Sequence, residues 1–283
     1  MHDTSTSKQD LLTLCFTFSF EAINQFSDLE DEEFRNIYLC NNMDDVQLMC
    51  ESMSANFSSA SAVPEQFDWR EHNVVARIKD RAQCTSCWAF AAVGNIEGQY
   101  AMKHKNIVEL SEQQLLDCDN KGNCIHGGYV AHVRNFMNLT VVQQGGIVGE
   151  ADYAYEAKKG QCRFDKNKIK ATVNNCKAFA IPSEELLKSA LVKTGPLAIA
   201  VHVDDGWSRY GGGVLAKCTE GKPNHAVLLV GYGTEYRHNE PIVFFNKLNS
   251  WGQTHGEAGY FKIRRNVNAC NITSYPAITS VVT

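Results

Sequence analysis

The chain has 283 residues, 44% of them hydrophobic and 21% charged, an ordinary globular composition with length enough for a sizeable core and two lobes. A net charge of −5 and an isoelectric point near 6.0 argue against nucleic-acid binding, and no apolar run reaches the length of a membrane span. Eleven cysteines point to an oxidising compartment, with several disulfides and at least one remaining thiol.

From the N-terminus, the longest apolar run is Leu11 to Phe20, interrupted by Thr and Ser. Its leader sets Lys8 against His2, Asp3 and Asp10, a poor match to a signal peptide. Residues 1–61 hold two basic and eleven acidic residues, a net of −9. Residues 62–283 hold 25 basic and 21 acidic, a net of +4. The split suggests an acidic segment facing a basic domain, although a solvated acidic tail accounts for the charge equally well. Cys15, Cys40 and Cys50 lie in the acidic part, and the other eight cysteines follow it. Sequons at Asn56, Asn138 and Asn271 agree with secretion but often arise by chance. Asn56 to Val63 is small and polar and reads as a linker ahead of Pro64.

The next stretch reads as helical. A long helix is predicted to begin at Cys87 and run through WAFAAVGNIEGQYAMKH. Ser111 with Gln114 forms a capping-box pattern before Leu115 and Leu116. Ser183 precedes Glu184 and Glu185 in the first turn of another helix, which Gly195-Pro196 stops. After Pro196 the pattern turns to short β-rich runs: LAIAVHV, HAVLLVGYG, PIVFF and GYFKIRR. Helices first and strands later predict an α+β fold of two lobes, with no internal repeat.

Cys87 at a helix N-terminus is the candidate nucleophile, because the helix dipole favours the thiolate. A neighbouring imidazole would complete a thiolate–imidazolium pair. His225, opening a strand, is the best placed of nine histidines, and Asn249 in NSWG offers an orienting amide beside Trp251. Taken singly, each has a plainer reading. Cys84-Thr-Ser-Cys87 also reads as a redox pair or half a zinc site, although no second CxxC exists and Cys118 and Cys124 have poor zinc spacing. A lone histidine is more often packed than catalytic.

The motifs VPEQFDWR, CTSCWAF, LSEQQLLDCD, HGGY, ADYAYEA, GP, NHAVLLVGYG, NSWG and GEAGYFKIRR follow one another from about Val63 to the C-terminus. In that order they resemble the papain-like cysteine proteases, near the cathepsin L group and its viral cathepsin relatives. The resemblance implies a helical N-terminal lobe and a β-barrel-like C-terminal lobe with the active-site cleft between them. Residues 62–283 would be the peptidase domain, with Cys87 as nucleophile, His225 as acid/base and Asn249 as orienting group; the Cys-His-Asn constellation and its depressed thiol pKa are family examples in general use. The Cys87 N–H and Arg81 would face the oxyanion. Disulfides Cys84–Cys124, Cys118–Cys162 and Cys218–Cys270 are implied, leaving Cys176 as a buried spectator. Gly127 and Gly128 would pair with substrate backbone. Tyr129, Val130, Ala200 and Ala226 would line an apolar pocket, and Trp251 would shield the site.

The resemblance calls for no cofactor or metal. Implied partners are peptide or protein substrates, the chain's own pro-segment and cystatin-like inhibitors, for a monomer of the lysosome or extracellular space. INQFSDLEDEEF (Ile23 to Phe34) resembles the later part of the family's inhibitory propeptide, without its long helical first half, so that residues 1–61 would form a truncated pro-segment. Cleavage near Ala62 would release the mature enzyme. The acidic segment is expected to dock on the basic domain and to loosen as its carboxylates protonate.

Several positions depart from the family pattern. Arg81 stands where a Gln would donate to the oxyanion, and Gln83 lies on the wrong side of Cys84 to replace it. Thr85 replaces a Gly, one extra residue separates Cys124 from the glycines, His255 stands at a Trp position and Leu248 at a Lys position. The preferred reading is a cysteine endopeptidase. The alternative is a catalytically impaired homologue that binds peptides without efficient cleavage, and a redox protein is a distant third.

Overall fold

A computed structural model describes residues 19–40, 50–53, 63–120, 122–125, 127, 141–216, 218–237 and 239–283. Cys15, the linker from Asn56 to Ala62, His126, Gly128, Tyr129, Val130 and Asn138 lie outside the described residues.

Four helices are described: α1 (Asp31–Tyr38), α2 (Cys87–His104), α3 (Glu112–Cys118) and α4 (Glu184–Thr194). Helix α2 is apolar nearly all round, with Trp88, Ala89, Ala92, Val93 and Ile96 fully buried, as expected of a helix at the centre of a core. Gly98 lets it approach its neighbours, since a Cβ there would lie 3.0 Å from the Pro196 ring. The helix stops at Lys105, a left-handed residue (φ 57°) whose N–H donates to the Ala101 carbonyl. Truncating Trp88 to Ala would cost about 3–5 kcal/mol.

Helix α3 begins as the sequence suggests, with the Ser111 hydroxyl accepting from the Gln114 N–H at 3.0 Å. The return half of the capping box is missing. The Gln114 amide donates instead to Gln144 Oε1 and the Gly146 carbonyl and accepts from the Val148 N–H, because those partners satisfy a buried amide more fully. Helix α4 is capped by Ser183, but its Glu184 does more than favour the dipole: the carboxylate accepts the N–H groups of Asn266 and Asn268.

The strands are β1 (Ser19–Glu21), β2 (Glu51–Met53), β3 (Phe67–Asp68), β4 (Ile147–Val148), β5 (Ile169–Ala171), β6 (Val173–Phe179), β7 (Leu197–Val201), β8 (Tyr210–Leu215), β9 (His225–Arg237), β10 (Glu240–Leu248), β11 (Tyr260–Arg264) and β12 (Ala277–Val282). A ten-stranded mixed sheet runs in the order β1-β8-β11-β10-β9-β7-β12-β6-β2, with β3 added on β9. Pairs β8/β11 and β2/β6 are parallel and the other pairs are antiparallel. This is the α+β architecture of two lobes that the order of helices and strands predicts. One apolar cluster gathers around α2, and the second around Trp207, Phe245 and Phe261.

The N-terminal segment supplies both end strands of the sheet, β1 and β2. Between them, α1 buries Phe34 and Tyr38. With Phe26 they form an aromatic plug against Trp251, the ring centroids lying 5.3, 6.3 and 5.4 Å away. Charge adds less to this docking than the sequence suggests. Arg209 pairs with Asp31 at 3.0 Å and Glu21 at 3.5 Å, but Arg35–Asp205 runs in the opposite sense. All three pairs are substantially exposed, and such pairs contribute roughly 0–1 kcal/mol each.

Disulfides join Cys84 to Cys124, Cys118 to Cys162 and Cys218 to Cys270. A fourth corrects the expectation for Cys176. That residue is no spectator thiol but is bonded to Cys50 of the segment, because the parallel β2/β6 pairing brings the two chains side by side. Cleavage near Ala62 therefore cannot by itself release residues 50–53 or what precedes them.

Candidate active site

Two loop ends and one helix start meet where the lobes join. Cys87 is the first residue of α2 and is 1% exposed. The turn before it is tied down: Thr85 N–H donates to the Cys124 carbonyl at 3.2 Å and Ser86 N–H to the Cys84 carbonyl at 2.8 Å. Thr85, where a Gly was expected, is buried with its hydroxyl directed at the Asn123 carbonyl, so its added bulk packs rather than obstructs.

His225 opens β9, paired with Val201 of β7, and Asn249 follows the end of β10. The imidazole Nε2 lies 3.0 Å from Asn249 Oδ1, which also accepts the Ser250 N–H at 2.8 Å. An amide oxygen can only accept, so Nε2 carries a proton and Nδ1 is left to face the thiol; this tautomer is assigned from the bonding. Trp251 covers the pair, its ring stacked on the imidazole at 4.9 Å and 26°. Among the described residues Nδ1 makes no hydrogen bond of full geometry, yet the ring is near enough to act on Cys87.

Burial pushes the Cys87 thiol up. Hydrogen bonding from Cys40 and His225, together with the charges of His225 and Arg81, outweighs that penalty and holds the thiol well below its ordinary range. A thiolate at a helix N-terminus beside an imidazole can attack a carbonyl carbon.

The Arg81 guanidinium is buried, and both of its terminal nitrogens are bonded to backbone. One Nη donates to the Cys84 carbonyl and the other to the Tyr38 carbonyl at 2.5 Å, with the Tyr38 ring 5.4 Å away. Gln83 is exposed. His255 is buried and bonded through Nε2 to the Trp207 carbonyl at 2.8 Å, packed edge-on to Trp251 and beneath Phe26. Burial first, with the His225 charge adding to it, pushes its pKa down to about 4. Leu248 holds the expected Lys position, and the lysine sits one residue earlier. Strand alternation therefore turns Lys247 inward, 5.6 and 5.7 Å from the Phe245 and Phe261 rings.

Ala200 and Ala226 face one another across β7 and β9, both buried, in the cluster that contains Cys87. Gly127 has φ +73° and passes close to the segment: a Cβ there would lie 2.5 Å from Cys40 Sγ. Cys40 itself lies 3.3 Å from Cys87, sulfur to sulfur. Sequence reasoning missed Cys40, Tyr38 and the Cys50–Cys176 bond. The available signal was parity, since an odd thiol in the domain and three cysteines in the segment invite a bond between them.

A family model described as "Papain family cysteine protease" matches residues 63–280. A viral cathepsin of Heliothis zea nuclear polyhedrosis virus is 40% identical over 263 residues, 92% of this chain and 69% of that protein. The digestive procathepsin L2 proteinase of Tenebrio molitor larval midgut superposes with a TM-score of 0.86 at 31% identity, over 96% of this chain and 87% of that one. The bromelain protease of Ananas comosus, solved in complex with the E64 inhibitor, matches with a TM-score of 0.67 at 31% identity, over 77% of this chain and 99% of its own.

Proposed function

Because the chain belongs to the papain family of cysteine proteases, we propose that it is the zymogen of a cathepsin L-like endopeptidase, with residues 1–61 as pro-segment and 62–283 as peptidase domain. The observation that carries this reading is the His225–Asn249 hydrogen bond under Trp251, beside a thiol of depressed pKa on the first residue of α2.

The Cys87 thiolate attacks the peptide carbonyl carbon, and the carbonyl electrons move to oxygen, facing the Cys87 N–H. Collapse of that intermediate expels the amine, which takes its proton from the His225 imidazolium and leaves a thioester. His225 then takes a proton from water as the water attacks the thioester, releasing the acid and restoring the thiolate. Asn249 holds the ring plane throughout. Ala200 and Ala226 support a preference for an apolar side chain two residues before the cut. The docked segment supports the pro-segment as an intramolecular partner, the disulfides support the secretory pathway, and the bromelain complex with the E64 inhibitor supports inhibitors as partners. Among the described residues, no helix is long and apolar enough to cross a membrane.

A second reading, an impaired homologue, is favoured by one observation: both terminal nitrogens of Arg81 are committed to backbone carbonyls rather than to an oxyanion site. Thiol labelling separates the two. In the reduced, processed domain an active site alkylates at Cys87 well below pH 8 and loses that reactivity in His225→Ala, with hydrolysis of peptides carrying an apolar second residue following suit. A thiol titrating near pH 8.5 rejects the peptidase reading.

A further inference from the structure

Among the described cysteines, Cys40 and Cys87 are the two outside disulfides, and they lie against each other. Their sulfurs are 3.3 Å apart, so a movement of about 1.3 Å separates them from disulfide bonding distance. The site around Cys40 is built for a side chain of this kind. Its N–H donates to the Asn224 carbonyl at 2.8 Å, next to His225, and its sulfur lies 3.9 Å from the Thr85 carbonyl. Only a residue without a Cβ at position 127 leaves space for it. Cys40 lies two residues past the end of α1, whose Tyr38 is anchored by Arg81, and the Cys50–Cys176 bond anchors the segment on the other side. The thiol is thus held over the nucleophile from both directions.

We propose that Cys40 is a thiol guard that closes a disulfide on Cys87, making latency of the enzyme reversible by reduction. This rests on the reading of Cys87 as the nucleophile. The oxidant is a low-molecular-weight disulfide of the glutathione class. The Cys87 thiolate attacks one of its sulfurs and expels one thiolate. The Cys40 thiolate then attacks Cys87 Sγ of the mixed disulfide and expels the second. Two protein thiols lose two protons and two electrons, and one small disulfide becomes two small thiols. Reduction by two monothiols, or one dithiol, reverses the sequence. Both sulfurs are buried in the docked state, so exchange takes place during folding or when the segment lifts. The two anchors then return Cys40 to the same place, which favours closure over a lasting mixed disulfide with the small thiol.

The test uses the full chain equilibrated across reduced-to-oxidised glutathione ratios, quenched with acid, blocked with N-ethylmaleimide and digested without reduction. Mass spectrometry of the oxidised sample is expected to show a linked peptide pair carrying Cys40 and Cys87, replaced by two blocked cysteines as the buffer becomes reducing. Cys40→Ser abolishes that pair. Absence of the pair at every ratio, or Cys87 found only on glutathione or on Cys15, overturns the proposal; the wild-type map decides it even if the variant folds poorly. Peptidase activity is read in parallel. A linked pair in a chain that stays inactive after reduction and processing rejects the peptidase reading, and the latency with it, and leaves only the Cys40–Cys87 bond standing. An active chain without the pair does the reverse.

Discussion

Cys50 is bonded to Cys176 across 126 residues of sequence, coupling the end of the N-terminal segment to the middle of a core strand. The bond sits at the β2/β6 pairing, where the segment adds a parallel strand to the edge of the sheet. A cut between the segment and the domain would therefore not by itself part the two.

Cutting the chain within residues 54–62 is expected to leave two polypeptides that migrate together on a non-reducing gel and separate on reduction. Cys50→Ser removes the link and lets the cut segment leave under non-reducing conditions. In the chain-entropy model, a loop of this length contributes about 4–5 kcal/mol, so loss of the bond should also lower the denaturation midpoint of the uncut chain. A cut chain that falls apart without reductant contradicts the structure.

Arg81 links the other end of the segment to the site through the Tyr38 carbonyl. Arg81→Gln removes that anchor and restores an amide where the family pattern has one. Losing one oxyanion donor typically costs about 10²–10³ in rate. If the guanidinium stays on the Cys84 carbonyl after the segment takes Tyr38 away, the processed variant gains activity toward that range in kcat with little change in KM. A gain below about threefold would mean that arginine swings in and serves as an adequate donor.

Much of the fold and the likeness of the site was legible because it rests on local signals: the apolar helix after Cys87, the strand after Pro196, and the short motifs around His225 and Asn249. The direction of Arg81 was not legible. A guanidinium at that position reaches the oxyanion side or the segment, and only the placement of Tyr38 selects between them. The Ser111–Gln114 pattern failed in its second half for the same kind of reason, since Gln144, Gly146 and Val148 arrive from far along the chain. The Cys40 contact and the Cys50–Cys176 bond depend on how the N-terminal segment lies across a finished domain. No periodicity records that.

His255 gives the chain an acid-sensitive joint. Its pKa is pushed down from 6.5 to about 4, by burial first and then by the His225 charge, against the bond to the Trp207 carbonyl. Between those two pH values the unfolded chain binds the extra proton, so stability is full above about pH 6.5 and is lost as pH falls towards 4. The shift corresponds to a contribution on the order of 3 kcal/mol. His255→Gln keeps a donor for Trp207 and removes the titration. Urea unfolding at pH 4.5 and pH 7 should show a smaller difference for the variant than for the parent. Equal differences would exclude His255 as the sensitive group.

Lys247 is the clearest place where the fold tolerates an unfavourable group. Its Nζ is buried between Phe245 and Phe261 with no hydrogen-bond partner among the described residues. Burial holds its pKa well below the ordinary lysine value, and the charge of Glu184 only partly opposes this. The unfolded chain binds a proton that the native state refuses, so stability falls as pH drops below the ordinary lysine pKa and levels off only below the native one. Lys247→Met keeps the length and flexibility of the side chain and deletes the amine, which removes both the desolvation penalty and its pH dependence. The variant should unfold at a higher temperature than the parent at pH 5–7, and the gap should narrow towards pH 10. Each ~1 kcal/mol gained moves the midpoint of a domain this size by about 2–4 °C. A midpoint that is unchanged or lower at pH 5 would mean that Lys247 finds water or a carboxylate in solution and is not held neutral in the core.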